Sequence, residues 1–499
     1  MPPRLRRVCL ILLRVVGGIA VGLVIGTLFL IHKVAKDTGL DQAVIPLLQA
    51  SLMLEQHYVE PLDPKKTSQR LLAGLVNDLD PHSSYLSPDD MQAFDEQMRG
   101  SYGGIGIEPK PSGPGSESLQ IGHVMPKGPA DEAGLRPGDR IIAIDGKPVG
   151  AELSNGMPDF MADFKRIRGP IGSMVELTVA SSSAPSSPER TVKVKRASIE
   201  LPVARWGLID TPKGKVFWLR AAQFNGDLLS EASSAIAQAN QEADGKISGI
   251  MLDVRGNPGG LVNAAVGLAG FFGEPGAVVV STRERNDPLP RVWRVGPGDL
   301  GYDTDSNSPD FVAQAKAGSP WLSSAPMVVL VNRHSASASE IVAAALKDWG
   351  RATIVGNTTF GKGSVQNFIP LANNAGALKI TTSRYYTPLG KAIQAVGVHP
   401  DVEVSTPLDE GLREADIPNH LGQSNGPRPA IKGPSSISAP TQKTSDVEDG
   451  RASFSPKISP SGNDPYLRAA LKELALKSQN ASPKGSTAAM ARLLAPAAP

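Results

Sequence analysis

The sequence holds one cysteine, Cys9, among 499 residues. That excludes an internal disulfide framework and any zinc site built on cysteines. It lacks an excess of either charge as well. Its 51 basic and 49 acidic residues leave a formal net charge of +2, which offers no footprint for nucleic acid. The seven histidines (His32, His57, His82, His123, His334, His399 and His420) carry no local metal or catalytic motif. No internal repeat is present, and no metal or cofactor is implied. What is present is enough apolar sequence, 40%, to bury a core, in a chain long enough for two or three domains.

One apolar run is long. Arg4, Arg6 and Arg7 precede it, Arg14 interrupts it, and Val15–Ile31 then continues for 17 uncharged residues up to His32 and Lys33. At a rise of about 1.5 Å per residue such a run nearly crosses a hydrocarbon core, with Arg14 snorkelling back to the headgroups. The basic flank puts the N-terminus in the cytoplasm and the rest of the chain outside it. No clean small-x-small cleavage site follows, so residues 1–33 are expected to be an uncleaved signal anchor.

Beyond it the texture changes several times. Residues 38–100 read as helical, with Leu47, Leu48, Leu52 and Leu54, then Leu71, Leu72, Leu75, Val76 and Leu79, recurring at helical spacing. Residues 101–197 have short strands and Gly/Pro turns. Val175, Leu177 and Val179 alternate with other residues, as do Val192 and Val194, which predicts a hairpin with a long tip at 181–188. Residues 198–404 alternate apolar strands (Ile250–Val254, Val278–Ser281, Met327–Val331, Thr353–Val355) with helices such as Leu228–Ala239 and Ser339–Lys347, an α/β pattern. Residues 405–464 are polar and rich in Pro, Ser and Gly, and are expected to be a disordered linker. Leu467, Ala470, Leu471 and Leu474 then mark a short helix in the 465–499 tail.

Chemistry concentrates in the α/β region. Asn332-Arg-His-Ser-Ala-Ser-Ala-Ser-Glu340 follows a strand and opens a helix. A strand-to-helix turn aims a serine hydroxyl outward beside free backbone N–H groups. Ser335, Ser337 and Ser339 compete for that place, and helix capping is the plainer use of any of them. Gly422-Gln-Ser-Asn-Gly426 matches the nucleophile-elbow string but has no strand before it, so it is read as chance. A base could be His334 or a lysine whose pKa burial lowers. Lys362, in Thr358-Thr-Phe-Gly-Lys-Gly-Ser-Val-Gln366, has the required apolar setting. The same stretch spells Gly-x4-Gly-Lys from Gly356, but Gly363 stands where a phosphate-binding loop needs Ser or Thr. Asp253-Val-Arg-Gly-Asn-Pro-Gly-Gly260 follows another strand and could present bare N–H groups to an oxyanion.

Taken together these segments resemble the carboxyl-terminal processing (tail-specific) serine peptidases. The likeness runs through Leu79-Asp-Pro-His-Ser-Ser-Tyr-Leu-Ser-Pro88, Gly103-Gly-Ile-Gly-Ile107, Gly134-Leu-Arg-Pro-Gly-Asp-Arg-Ile-Ile142, Arg168-Gly-Pro-Ile-Gly172, Asp253–Gly260, Ser335–Glu340 and Phe360–Gln366. It covers roughly residues 40–405. With the hydropathy and composition above, the resemblance gives a multidomain α/β architecture: membrane helix, helical N-terminal region, β-rich PDZ domain, α/β protease core, disordered linker and final helix. It implies a Ser–Lys dyad with Ser337 as nucleophile, Lys362 as general base and Gln366 orienting the lysine. Asp348 matches a position sometimes given a charge-relay role. The oxyanion donors would be Ala338 and either Gly259 or Gly260. Gly104, Ile105, Gly106 and Ile107 would bind a substrate's terminal carboxylate while its tail adds as a strand, and Arg168 would couple that domain to the active site.

The expected partners are proteins or peptides with apolar C-termini, the membrane, a second copy of the chain and an adaptor, with no nucleic acid. The expected location is a bacterial inner membrane, single-pass, with the catalytic domain in the periplasm. The alternative is a PDZ scaffold without activity. Two departures from the family pattern stand out: Glu108-Pro109 in place of a plain strand continuation, and a long segment at 296–320.

Overall fold

The computed structural model describes residues 40–111, 118–150, 153–154, 157–158, 160–181, 188–285, 289–296, 310–404, 406, 411–422 and 464–480. The expected membrane anchor, Cys9 with it, lies outside the described residues. Among those described, no helix is long and apolar enough to cross a membrane. The chain divides into two units, one ending at Leu75 and one beginning at Val76.

The first unit supplies helix α1 (Leu40–His57) and nearly all of α2 (Pro64–Val76). Asp63 caps α2, accepting from the backbone N–H groups of Lys65 at 2.9 Å and Lys66 at 3.3 Å, and Pro64 takes the first helical position, where no N–H is missed. The leucines that predicted α1 exist as a helical stripe, yet Leu48, Leu52 and Leu54 are exposed.

The second unit begins with β1 (Ser84–Leu86) and α3 (Pro88–Arg99). Ser87 and Asp90 form a reciprocal capping box on α3, and Gly100, at φ 77°, ends it in the left-handed region that glycine tolerates best. Strand β2 (Ser101–Gly104) then leads into a sheet of β3 (Ile107–Pro111), β4 (Leu119–Val124), β5 (Arg140–Ile144), β6 (Met174–Ala180) and β7 (Arg190–Lys195), in the order β7-β6-β5-β4-β3. A helix, α4 (Phe160–Ile167), accompanies it. The 175–179/192–194 hairpin forms as predicted, with Val192 opposite Leu177 and Val194 opposite Val175. The Glu108-Pro109 departure is a register shift against β4 rather than a strand end, the place where a residue without an N–H fits a ladder. Strand β8 (Ala197–Glu200) returns antiparallel to β2, pairing Ala197 with Gly104 and Glu200 with Ser101.

The rest is a three-layer α/β core. Its sheet has the order β9 (Ala204–Thr211), β10 (Gly214–Ala221), β11 (Ile247–Asp253), β14 (Met327–Val331), β15 (Thr353–Gly356) and β18 (Val402–Glu403), parallel from β10 onward. On one face Phe217, Leu219, Ile250, Leu252 and Val329 meet helices α5 (Leu228–Glu242), α6 (Val262–Gly270) and α7 (Ala338–Asp348). On the other, Val216, Trp218, Met251, Val328, Leu330 and Val355 meet Tyr466, Leu467, Ala470 and Leu474 of α8 (Pro465–Asn480). Burial on both faces is why these strands read as unbroken apolar runs. A second sheet joins β17 (Ala377–Tyr386) to β1, β12 (Val278–Glu284) and β16 (Ser364–Pro370), with β13 (Arg291–Arg294) on β12.

The expected linker needs correction. Residues 411–422 are folded against the core: Glu414 is fully buried, and its N–H donates to the Phe360 carbonyl at 3.0 Å. Composition misses such a segment because polar hydrogen bonds, rather than apolar area, hold it.

Candidate active site

Three neighbouring parallel strands, β11, β14 and β15, deliver the candidate residues from their carboxyl ends, where sites in such sheets collect. After β14 the chain turns sharply into α7. Ser337 sits at the turn with φ 55° and ψ −115°, a conformation that costs a residue with a Cβ about 1–3 kcal/mol.

Surrounding hydrogen bonds enforce it. The Ala336 N–H donates to the Asn257 carbonyl at 3.0 Å, and that of Ser337 to Glu340 Oε2 at 2.9 Å. The other two serines are committed elsewhere. Ser335 Oγ donates to the Val254 carbonyl at 2.8 Å and Ser339 Oγ to that of Asn257 at 2.9 Å, both fully buried. Only the Ser337 residue of the three retains exposure. His334 is exposed, and its ring lies against Gly411.

Glu340 is the centre of the arrangement. Fully buried, it accepts at Oε2 from the N–H groups of Ser337 and Lys362, each at 2.9 Å. At Oε1 it accepts from Thr359 Oγ1 at 2.5 Å and the Gly361 N–H at 2.7 Å. One carboxylate thus ties the serine turn to the lysine loop. Burial pushes its pKa up to about 7 against the opposing pull of those four donors.

Lys362 is half-buried on the loop from β15 to β16. Burial and the neighbouring Lys379 ammonium lower its pKa to about 8, opposed by Glu414, Glu340 and Asp80. Tyr385, fully buried on β17, donates its hydroxyl to the Lys362 carbonyl and shares a hydrogen bond with the Ser337 side chain. Its pKa is raised, first by burial and then by Glu340. At Gly363 a Cβ would lie 2.4 Å from the Gln394 backbone nitrogen. With a strand rather than a helix following, the phosphate-loop string is a coincidence.

The turn after β11 faces Ser337. A Cβ on Gly259 would come within 2.8 Å of the Ser337 Cβ and 2.9 Å of the Ala336 carbonyl oxygen. The Gly259 N–H is already given to Asn257 Oδ1 at 2.9 Å. Gly260, exposed beside it, has its neighbours' backbone bonds closed by Phe224, which donates to the Gly259 carbonyl at 3.0 Å and accepts from Leu261 at 2.8 Å. Of the two glycines, Gly260 therefore keeps its N–H available, while Gly259 is the one that lies against Ala338, its Cβ position 3.0 Å from the Ala338 nitrogen.

Gln366 and Asp348 lie in other company. The Gln366 amide donates to Ser364 Oγ and Thr381 Oγ1, both at 3.0 Å, and Thr381 continues to Asp80 at 3.1 Å. Asp348 closes α7 at the end opposite Ser337, roughly 16 Å along the axis, too far for proton exchange with it. Its Oδ2 accepts from Thr387 Oγ1 at 2.5 Å and the Leu389 N–H at 3.1 Å. Ile105 and Ile107 point their side chains into the core of the inserted domain, and residues 103–107 are buried, with the Ile105 and Gly106 carbonyls accepting from Ala130 at 2.9 Å and Met125 at 2.8 Å. The Arg168 guanidinium stacks 4.1 Å above the Tyr102 ring. Sequence reading missed Asn257, Glu340, Tyr385 and Glu414. Glu340 alone carried a local signal, as the acid three residues after a capping serine.

Comparisons with known proteins identify two domain families in the chain. Residues 215–404 fit the model of peptidase family S41 and residues 120–180 that of a PDZ domain. The chain is similar to a carboxy-terminal-processing protease of Bartonella bacilliformis, 34% identical over 80% of this chain and 81% of that protein. It is also similar to a probable CtpA-like serine protease of Staphylococcus aureus, 31% identical over 80% and 72%. Among solved structures, the photosystem II D1 C-terminal processing protease matches at 29% identity over 70% of this chain and 84% of that chain, with a TM-score of 0.38.

Proposed function

This chain belongs to the carboxy-terminal-processing serine peptidases of family S41, and on that premise we propose that it hydrolyses peptide bonds through a Ser337–Lys362 dyad. The observation that carries the reading is the shared anchoring of both residues on Glu340 Oε2. Neutral Lys362 takes the Ser337 proton as Oγ attacks the scissile carbonyl. The oxyanion accepts from the N–H groups of Gly260 and Ala338. Collapse breaks the C–N bond, Lys362 returns the proton to the leaving amine, and water releases the acyl group by the same route. Gln366 orients the lysine through the Ser364–Thr381 network. The PDZ domain takes apolar C-terminal tails at Gly104–Ile107, and residues 1–33 anchor the enzyme in a bacterial inner membrane with its catalytic domain in the periplasm.

The test uses the full chain in detergent with two unfolded reporters, one ending in apolar and one in charged residues. Tail-dependent cleavage that Ser337→Ala abolishes is expected. Cleavage persisting in Ser337→Ala would refute the nucleophile, and no cleavage by the wild type in a membrane extract would favour the scaffold alternative.

Gly259→Ala is expected to lower kcat by about a hundredfold, since a Cβ there overlaps the Ser337 Cβ and the Ala336 carbonyl on a backbone at φ 103°, and a misplacement of about an ångström has an effect of that order. Tail-peptide affinity should not change. Steady-state kinetics beside direct peptide binding checks both.

A further inference from the structure

The turn that carries the oxyanion glycines is gripped from behind by the far end of the chain. Asp253, the last residue of β11, is fully buried. It accepts from Arg255 Nε at 2.9 Å and Nη2 at 2.7 Å, with Arg220 Nη1 at 3.6 Å. The remaining Arg255 nitrogen, Nη1, reaches Asp464 Oδ2 at 2.7 Å, and the guanidinium lies 4.9 Å from the Tyr466 ring centroid. Asp464 is the residue before α8 and also caps it, its Oδ1 accepting from the Tyr466 N–H at 2.8 Å. From Arg255 the chain passes directly into the active site. Gly256 N–H donates to Asn332 Oδ1 at 3.0 Å, while the Asn257 carbonyl accepts from Ala336 and Ser339 on the serine turn.

We propose that Asp464 is a positioning residue for peptide hydrolysis. By holding Arg255 it fixes the Val254–Gly260 turn against Ser337, so that the C-terminal helix completes the oxyanion site. The proposal rests on the reading that the Gly260 N–H receives the oxyanion. An ion pair that served only to dock α8 would not need to end on the segment carrying that donor. Another polar grip on α8, Lys213 Nζ to the Ala475 carbonyl at 2.9 Å and Ser478 Oγ at 2.7 Å, lies at the helix's opposite end and touches no active-site turn.

The experiment uses full-length Asp464→Asn, Asp464→Glu and Lys213→Ala beside wild type and Ser337→Ala. Asparagine keeps the Oδ1 acceptor that caps α8 and removes one of the two carboxylate charges that hold Arg255, leaving Asp253 in place. Asp464→Asn is expected to lower kcat roughly tenfold with KM unchanged, and to weaken a peptidyl aldehyde by the same factor, because its tetrahedral adduct occupies the oxyanion site. Asp464→Glu should recover most of both, and Lys213→Ala should change neither. Wild-type kcat and aldehyde affinity in Asp464→Asn, with Ser337→Ala inactive, would overturn the proposal and leave the serine mechanism standing. Equal losses in Asp464→Asn and Lys213→Ala, tracking their thermal midpoints, would overturn it too, reducing α8 to a stabilising element. Turnover surviving in Ser337→Ala would instead remove the reading beneath it.

Discussion

Lys362→Arg is expected to lower kcat/KM by about 10⁴-fold, as far as Lys362→Ala does, the upper range for loss of a general base. Arginine restores the charge but cannot give it up at any accessible pH. A lysine acting by electrostatic attraction alone would be rescued by it. The base must be neutral to act, so wild-type kcat/KM should rise as pH rises through about 8, where burial and Lys379 have brought Lys362. Retained activity in Lys362→Arg, or a rate that falls as pH climbs from 7 to 8, would remove lysine from the mechanism.

Glu340→Gln is expected to lower kcat/KM by roughly 10²–10³-fold, the scale of misplacing reacting groups by about an ångström. A carboxylate can accept all four of the donors that converge on Glu340. A glutamine must turn its NH2 toward two of them, leaving donors opposed and buried, about 1–3 kcal/mol for each. The pH profile carries a second, sharper mark. With Glu340 at about 7 and Lys362 at about 8, two protons must leave before the site is competent. The acid limb of log kcat/KM should therefore steepen from a slope of one toward two below pH 7. In Glu340→Gln the residual activity should keep a slope of one throughout. An unchanged steep limb in that variant would assign the second proton to another group.

The outline of the core was legible because its strands lie in a sheet covered on both faces. Met327–Val331 reads as five apolar residues and is a fully buried strand. The PDZ hairpin was legible because alternation fixes both face and register. The choice among Ser335, Ser337 and Ser339 could not be made from local sequence. In the fold, the Ser335 and Ser339 hydroxyls are taken up by the carbonyls of Val254 and Asn257, some 80 residues earlier in the chain. The glycine pair is likewise distinguished only in the fold, where Asn257 Oδ1 takes the N–H of Gly259 and Gly260 is exposed. Glu414 was hidden for another reason. Its partners, His82 and the Gln394 side chain, each at 2.7 Å, lie 332 and 20 residues away in a stretch whose composition reads as solvent-exposed.

The antiparallel pair β2 and β8 has a topological consequence. Strand β1 and helix α3 precede the PDZ domain, yet β1 belongs to the sheet built on β17, far downstream. The peptidase core is thus a discontinuous fold interrupted by a guest. The guest's entry and exit meet across one ladder rung, Gly104 opposite Ala197, so the gap it leaves is only about 5 Å wide. A two-residue hairpin turn spans that distance. The PDZ domain and the peptidase core are therefore physically separable modules: replacing the first as a cassette would cut no strand of the second.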